Sequence, residues 1–252
     1  TGVNSSPQDI SLIKQNIYIL ISLMSPVQIP RTTHIQLSRK TIEQLRIIHR
    51  HSSKRKMEYA GAVDFYFNDK RLAFDTPTFV TSKKRSTVLW EHIQEVWPQL
   101  IVYHTHPKCD EDPDGGMTAT LPSTADFYAF IKLFPQAQVN IICDAHGYYV
   151  IDILDSWYKF TTPTLPLVED VMSNFRALDE VKSSTNSTEE SLEYFKTTQM
   201  EWKNLVNCVL YKELNRLCGI AIQYYSYFDE PAVVRIDTCQ FNWKIGPGVG
   251  KI

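Results

Sequence analysis

The sequence predicts a mixed α/β (α+β) fold: one central sheet flanked by helices, with a helical extension on its C-terminal side. Three observations lead there. Strand-like and helix-like segments alternate from residue 32 to residue 155 in the order β-α-β-β-α-β-α-β-β. The 252 residues are 43% hydrophobic and 12% aromatic, enough apolar material for a sizeable core. A third segment, "LIVYHTH" (100–106), reads as a buried strand running straight into a loop.

Residues 1–31 read as an N-terminal arm: polar at first, then "IYILISLM" (17–24), then Pro26 and Pro30. That apolar run of eight residues is short against the roughly 20 a membrane span needs, so a buried segment is expected. "HIQLS" (34–38) alternates as a short strand. "RKTIEQLRIIHRHSS" (39–53) carries Ile42, Leu45, Ile48 and His49 at helical spacing. "EYAGAVDFYFN" (58–68) is small, aromatic and β-branched, hence a strand, and "LAFDTPTFVTS" (72–82) continues the strand material. "TVLWEHIQEVWPQL" (87–100) reads as a helix stopped near Pro98. "PSTADFYAFIKLF" (122–134) places Phe127, Phe130, Ile131 and Phe134 at helical spacing, and "VNIICDAHGYYVIDIL" (139–154) gives two strands around an Ala-His-Gly turn.

Residues 161–252 read as a linker, a long amphipathic helix and a final strand, extending or completing the core. The linker (161–188) is rich in Pro, Ser and Thr. The helix (190–218) carries Leu192, Phe195, Trp202, Leu205, Val206, Val209 and Leu217, and "GIAIQYYSYF" (219–228) is the strand. Such a helix suits either core packing or docking into a protein complex.

The formal net charge of −2 calls for neither a nucleic-acid nor a membrane partner. The basic clusters "HRHSSKRK" (49–56) and "KKR" (83–85) read as solvated segments. Five cysteines, an odd number with no Cys-x-x-Cys, argue against a disulfide framework, so a reducing, intracellular setting (cytoplasm or nucleus) is expected. There is no phosphate-binding glycine loop, no Gly-x-Ser-x-Gly elbow and no zinc-finger cysteine pairing.

The chemistry concentrates in "HTHP" (104–107). Residues i and i+2 of a strand point to one face, so His104 and His106 aim two imidazoles at one point, a natural pair of zinc ligands. A catalytic zinc takes three protein ligands and a water. Asp126, in the first turn of the helix after "LPST", is available as the third, with Ser123 one turn away. Ser-x-x-Asp before an apolar run is equally a helix-capping pattern. A metal-acidified water also needs a carboxylate to take its proton, and Glu58, opening a strand of small residues, is available. On composition alone it is also an ordinary solvated strand end.

Taken together, Glu58, "HTHP" (104–107) and "STAD" (123–126) resemble the JAMM (MPN-type) zinc metalloprotease family over residues 32–155. The resemblance implies an MPN-type, cytidine-deaminase-like catalytic core over residues 32–160. It implies zinc held by His104, His106 and Asp126, with Glu58 as general base and Ser123 stabilising the oxyanion. It further implies a deubiquitinase-like isopeptidase acting on conjugates of ubiquitin or a ubiquitin-like protein. Some members act on other substrates or serve as non-catalytic scaffolds. One departure stands out. The family pattern has roughly seven or eight residues between the second His and the Ser; here residues 107–122 intervene, carrying Cys109, Asp110, Glu111, Asp112 and Asp114. Any of these is an alternative third ligand, and the insert is expected at the rim of the site as a lid, selector or plug.

Overall fold

A computed structural model of the protein describes residues 32–68, 71–84, 87–88, 92, 99–107, 117–158, 165–182 and 194–237. In chain order the elements begin β1 (Thr32–Gln36), α1 (Arg39–Arg55), β2 (Ala60–Ala62), β3 (Phe65–Asn68), β4 (Arg71–Phe74), β5 (Thr78–Val80), β6 (Ile101–Thr105) and β7 (Met117–Thr120). They continue with α2 (Thr124–Leu133), β8 (Val139–Cys143), β9 (Gly147–Asp152), α3 (Leu154–Tyr158), α4 (Leu165–Arg176), α5 (Asp179–Lys182) and β10 (Tyr194–Thr197). Last come α6 (Gln199–Asn204), a π-helical turn (Leu205–Leu210), α7 (Tyr211–Cys218), β11 (Ala221–Ser226) and β12 (Val233–Asp237). All described residues belong to the compact unit Thr32–Ile252. The N-terminal arm, most of the 87–100 helix segment and residues 183–190 of the Ser/Thr-rich stretch lie outside the described residues. No described helix is long and apolar enough to cross a membrane.

The six-stranded central sheet runs β11-β9-β8-β6-β2-β5. β6 and β8 are parallel and every other neighbouring pair is antiparallel. A parallel pair needs a crossover, and here β7 and α2 supply it. β6 is buried along its whole length because both faces are covered. Ile101 and Tyr103 face a core with α1, Leu45, Ile141 and the β1–β12 pair, whereas Val102 faces the opposite core of Phe127, Phe130, Val171 and Trp202. His104, two residues after Val102, therefore belongs to the face that α2 covers.

Both ends of α1 are capped. Ser38 accepts from Thr41 N–H at 3.0 Å to start α1, and Lys56 ends it in the left-handed conformation at φ 52°.

Four expectations need correction. The 58–68 segment is not one strand: β2 pairs with β5 and β6 only to Ala62, and β3 pairs instead with β4 as a separate hairpin. The Pro/Ser/Thr-rich linker contains α4, because Val168, Val171, Met172 and Phe175 form a buried helical stripe and Pro166 sits in the first turn, where a missing N–H costs little. The long helix starts only at Gln199: Thr198 and Glu201 form a capping box there, and Phe195 lies on β10, paired with β7. Of the predicted stripe, Trp202 and Val206 are buried in the core together with Leu210 and Leu214, whereas Val209 and Leu217 are exposed. The predicted final strand is β11, which extends the sheet beside β9, and β12 follows it to pair with β1. Asn207, in the π-helical turn, covers part of β11's outer edge by donating to Tyr224 O at 3.1 Å and accepting from Tyr224 N–H at 2.6 Å.

Candidate metal centre

The C-terminal end of β6 carries both histidines. His104 stands opposite Ala60 of β2 and Ile142 of β8. His106 lies one residue past the strand, yet its N–H still bonds Cys143 O at 2.8 Å, so the parallel pairing continues through it. Both side chains are buried, and their Nε2 atoms are 3.2 Å apart. Period-two geometry thus brings the two imidazoles together, as the sequence implied.

Asp126 reaches the same point from α2. Its Oδ1 is 3.1 Å from His104 Nε2 and its Oδ2 is 3.4 Å from His106 Nε2. The capping reading of Ser-x-x-Asp holds at the same time: Ser123 N–H donates to Asp126 Oδ2 at 2.7 Å, and Asp126 N–H donates to Ser123 Oγ at 3.3 Å. One carboxylate therefore caps the helix and faces both histidines, and the cap is what fixes its direction. Burial pushes the Asp126 carboxyl upward, but the charge of His104 and the hydrogen bonds of both histidines outweigh it and hold it well below the ordinary carboxylate range.

Glu58 approaches from the other side. It is only 7% exposed, so it is not the solvated strand end that its position suggests. Its N–H bonds Lys84 O at 2.9 Å and its C=O accepts from Thr81 Oγ1 at 2.7 Å, which ties its backbone to the segment after β5. A carboxylate oxygen of Glu58 and one ring nitrogen each of His104 and His106 lie within 4.8 Å of one another. Burial is the main cause that pushes Glu58 up to about 8, with His106 opposing and Asp126 adding to it. Gly61, three residues on, shows why small residues follow Glu58. A Cβ there would collide with Thr78 O and come within 2.6 Å of the Tyr103 ring, so β2 lies against its neighbours only without a side chain at this position.

The donor set could hold a metal ion. Four ligands at 2.0–2.1 Å in a tetrahedron are separated by about 3.3 Å. The two Nε2 atoms, 3.2 Å apart, and His104 Nε2 with Asp126 Oδ1, 3.1 Å apart, lie near that edge, while the 3.4 Å to His106 runs from the other carboxylate oxygen, Oδ2. Glu58 with the two histidines forms a second triad, its ligand atoms all within 4.8 Å of one another. Two buried imidazoles, the buried Glu58 and the half-buried Asp126 converge here, and a dication would balance the two carboxylates.

The insert between His106 and Ser123 divides in two. Residues 108–116, which hold Cys109, Asp110, Glu111, Asp112 and Asp114, lie outside the described residues. Residues 117–120 are β7, and Met117, Ala119 and Leu121 belong to the core. The second half is therefore a fixed strand, paired with β10. Tyr149 OH donates to Thr120 O at 2.6 Å and Trp202 Nε1 donates to Tyr149 OH at 2.7 Å, anchoring it further.

Sequence reasoning missed a buried polar layer behind the centre. His49 is buried and its Nε2–H donates to His106 O at 2.9 Å; burial is the main cause holding its pKa down, which keeps the ring neutral. Asp144, at the end of β8, accepts from His146 N–H and Gly147 N–H at 2.9 and 2.8 Å and from Tyr224 OH at 3.1 Å, closing the Ala-His-Gly turn. The available signal was polar residues at core-facing positions of an amphipathic helix: His49 and Ser52 share the buried face of α1 with Leu45 and Ile48. A scan against models of known protein families finds no match, and a search of curated proteins likewise finds none.

Proposed function

We infer that the chain is a zinc-dependent isopeptidase of the JAMM (MPN) type, with the corresponding fold, removing ubiquitin or a ubiquitin-like protein from conjugates. One observation carries the reading: His104, His106 and Asp126, from two separate segments, converge within 3.1–3.4 Å of one another with Glu58 beside them. His104, His106 and Asp126 would hold the ion, which when bound would supply Lewis-acid polarisation of a carbonyl and a water acidified to near neutrality. Glu58 takes a proton at its carboxylate and returns it to the leaving amine; burial holds it up to about 8 in the metal-free chain, and the charge of a bound dication would favour the ionised form that accepts. Ser123 Oγ accepts from Asp126 N–H and keeps its own O–H for the oxyanion, a contribution worth about 2.7–4 kcal/mol when such a donor is well placed.

A second reading keeps the metal chemistry and changes the substrate to a non-ubiquitin peptide. The insert favours it, since pairing β7 with β10 brings the C-terminal part of the chain to the segment that leads into Ser123. The scaffold reading keeps part of its support, because Trp202 and Val206 of the C-terminal helix are buried in the protein's own core while Val209 and Leu217 are exposed. The test is cleavage of di-ubiquitin chains of several linkages by purified protein, with chelator and after zinc restoration. Chelator-sensitive cleavage supports the first reading. Cleavage of an ordinary peptide library without cleavage of di-ubiquitin supports the second. No cleavage of either by zinc-loaded protein contradicts both.

A further inference from the structure

Glu58 is flanked by two peptide groups, and both are tied to the residue between the histidines. Tyr59 N–H donates to Thr105 Oγ1 at 3.0 Å, the Thr105 and Ser52 hydroxyl oxygens are 2.6 Å apart, and Ser52 Oγ lies 2.5 Å from Met57 O. Proton counting gives the chain one direction. A carbonyl only accepts, so Ser52 donates its single hydroxyl proton to Met57 O. Thr105 then donates to Ser52 Oγ, while its own oxygen accepts from Tyr59 N–H. The bonds thus run from the residue after Glu58, through Thr105 and Ser52, to the residue before it. Two backbone bonds reinforce the loop, Thr105 N–H to Tyr59 O at 2.8 Å and Met57 N–H to Ser52 O at 3.1 Å. Ser52 and Thr105 are both fully buried, so water does not substitute for either hydroxyl.

We propose that Ser52 and Thr105 are positioning residues that hold the Glu58 carboxylate against the His104–His106 pair. The proposal rests on the reading of Glu58 as the base of the site. Helix α1 supplies the rigidity: its capped N-terminus and its buried stripe fix Ser52, and His49, one turn earlier, fixes the His106 carbonyl from the same face. A functional group must be held to within about 0.5 Å, and Glu58 lies two residues ahead of the three-residue β2, outside its pairing with β5 and β6.

The variants are Ser52→Ala, Thr105→Val, which deletes the hydroxyl at nearly constant volume, and Thr105→Ser, which keeps it. Glu58→Gln is the reference for a perturbed carboxylate. In metal-free protein, amide hydrogen exchange at Tyr59 should accelerate about tenfold in S52A and T105V, with T105S at the wild-type rate and the Tyr149 amide of β9 unmoved. With Co²⁺ as probe, S52A and T105V should bind one ion per chain, with visible absorption moved in the direction that E58Q moves it. Di-ubiquitin cleavage should fall about 100-fold in both and recover in T105S. Unchanged Tyr59 exchange and an unchanged Co²⁺ spectrum in both variants overturn the proposal. If S52A does not fold, the Thr105 pair decides. If wild type binds Co²⁺ but cleaves nothing, the substrate reading fails, and exchange and spectrum still decide the positioning role. If wild type takes up no Co²⁺, the metal reading fails, and wild-type Tyr59 exchange in T105V overturns the proposal on its own.

Discussion

Replacing Glu58 by Gln gives the metal-free protein a different dependence of stability on pH. Burial pushes the Glu58 carboxyl up from 4.5 to about 8. Between those values the folded chain holds a proton that the unfolded chain has released. The folded state therefore binds more protons, and stability falls as pH rises through the window. The group's contribution is fully present below about pH 4.5 and is lost once pH passes about 8. Each pH unit across the window costs about 1.4 kcal/mol, so the carboxyl costs on the order of 3 kcal/mol at pH 7 and about 5 kcal/mol above pH 8. Gln has a similar shape and no titration. Metal-free E58Q should gain on wild type by about that amount between pH 4.5 and pH 8, whatever fixed offset its amide adds. Denaturant unfolding of chelator-treated wild type and E58Q at intervals from pH 4.5 to 8.5 measures the difference. Parallel profiles across that range would refute the reasoning, since they would mean that Glu58 is solvated in the folded state.

Further predictions concern the ligands and their supports. His106→Ala should lower zinc content from one per chain to near zero, measured by emission spectrometry after gel filtration, and so should His104→Ala. Asp126→Ala removes both a ligand and half of the capping box, so it should lose zinc and about 1 kcal/mol of stability as well, read from denaturant midpoints with and without metal. Gly61→Ala should destabilise by more than about 2 kcal/mol or prevent folding, judged by soluble yield and thermal unfolding, because the added Cβ meets Thr78 O and the Tyr103 ring. Trp202→Phe keeps most of the stack on Phe195 but loses the bond to Tyr149 OH, and should cost about 1–2 kcal/mol by denaturant unfolding.

What could be read from sequence was what local periodicity carries. The two-residue period of "HTH" placed both imidazoles together, the helical period of 39–53 gave α1, and Ser-x-x-Asp gave the first turn of α2 whichever role it was assigned. Glu58 was ambiguous because burial at the start of a strand depends on what lies across it, namely β6 and the segment after β5. Helix α4 was hidden by its proline and the polar residues around it, although its stripe of Val168, Val171, Met172 and Phe175 has the proper spacing. The β7–β10 pair joins segments far apart in the chain, and neither strand alternates over more than four residues. The Ser52–Thr105 contact is of the same kind: two ordinary hydroxyls acquire a meaning only when α1 is laid on β6.

The most direct test of the central claim is the zinc K-edge absorption of purified, zinc-loaded protein. The proposed ligand set predicts about two imidazole nitrogens and one or two oxygens near 2.0–2.1 Å, with no sulfur. A sulfur shell near 2.3 Å would replace Asp126 with Cys109 of the insert, and failure to retain one zinc per chain would contradict the metal centre altogether.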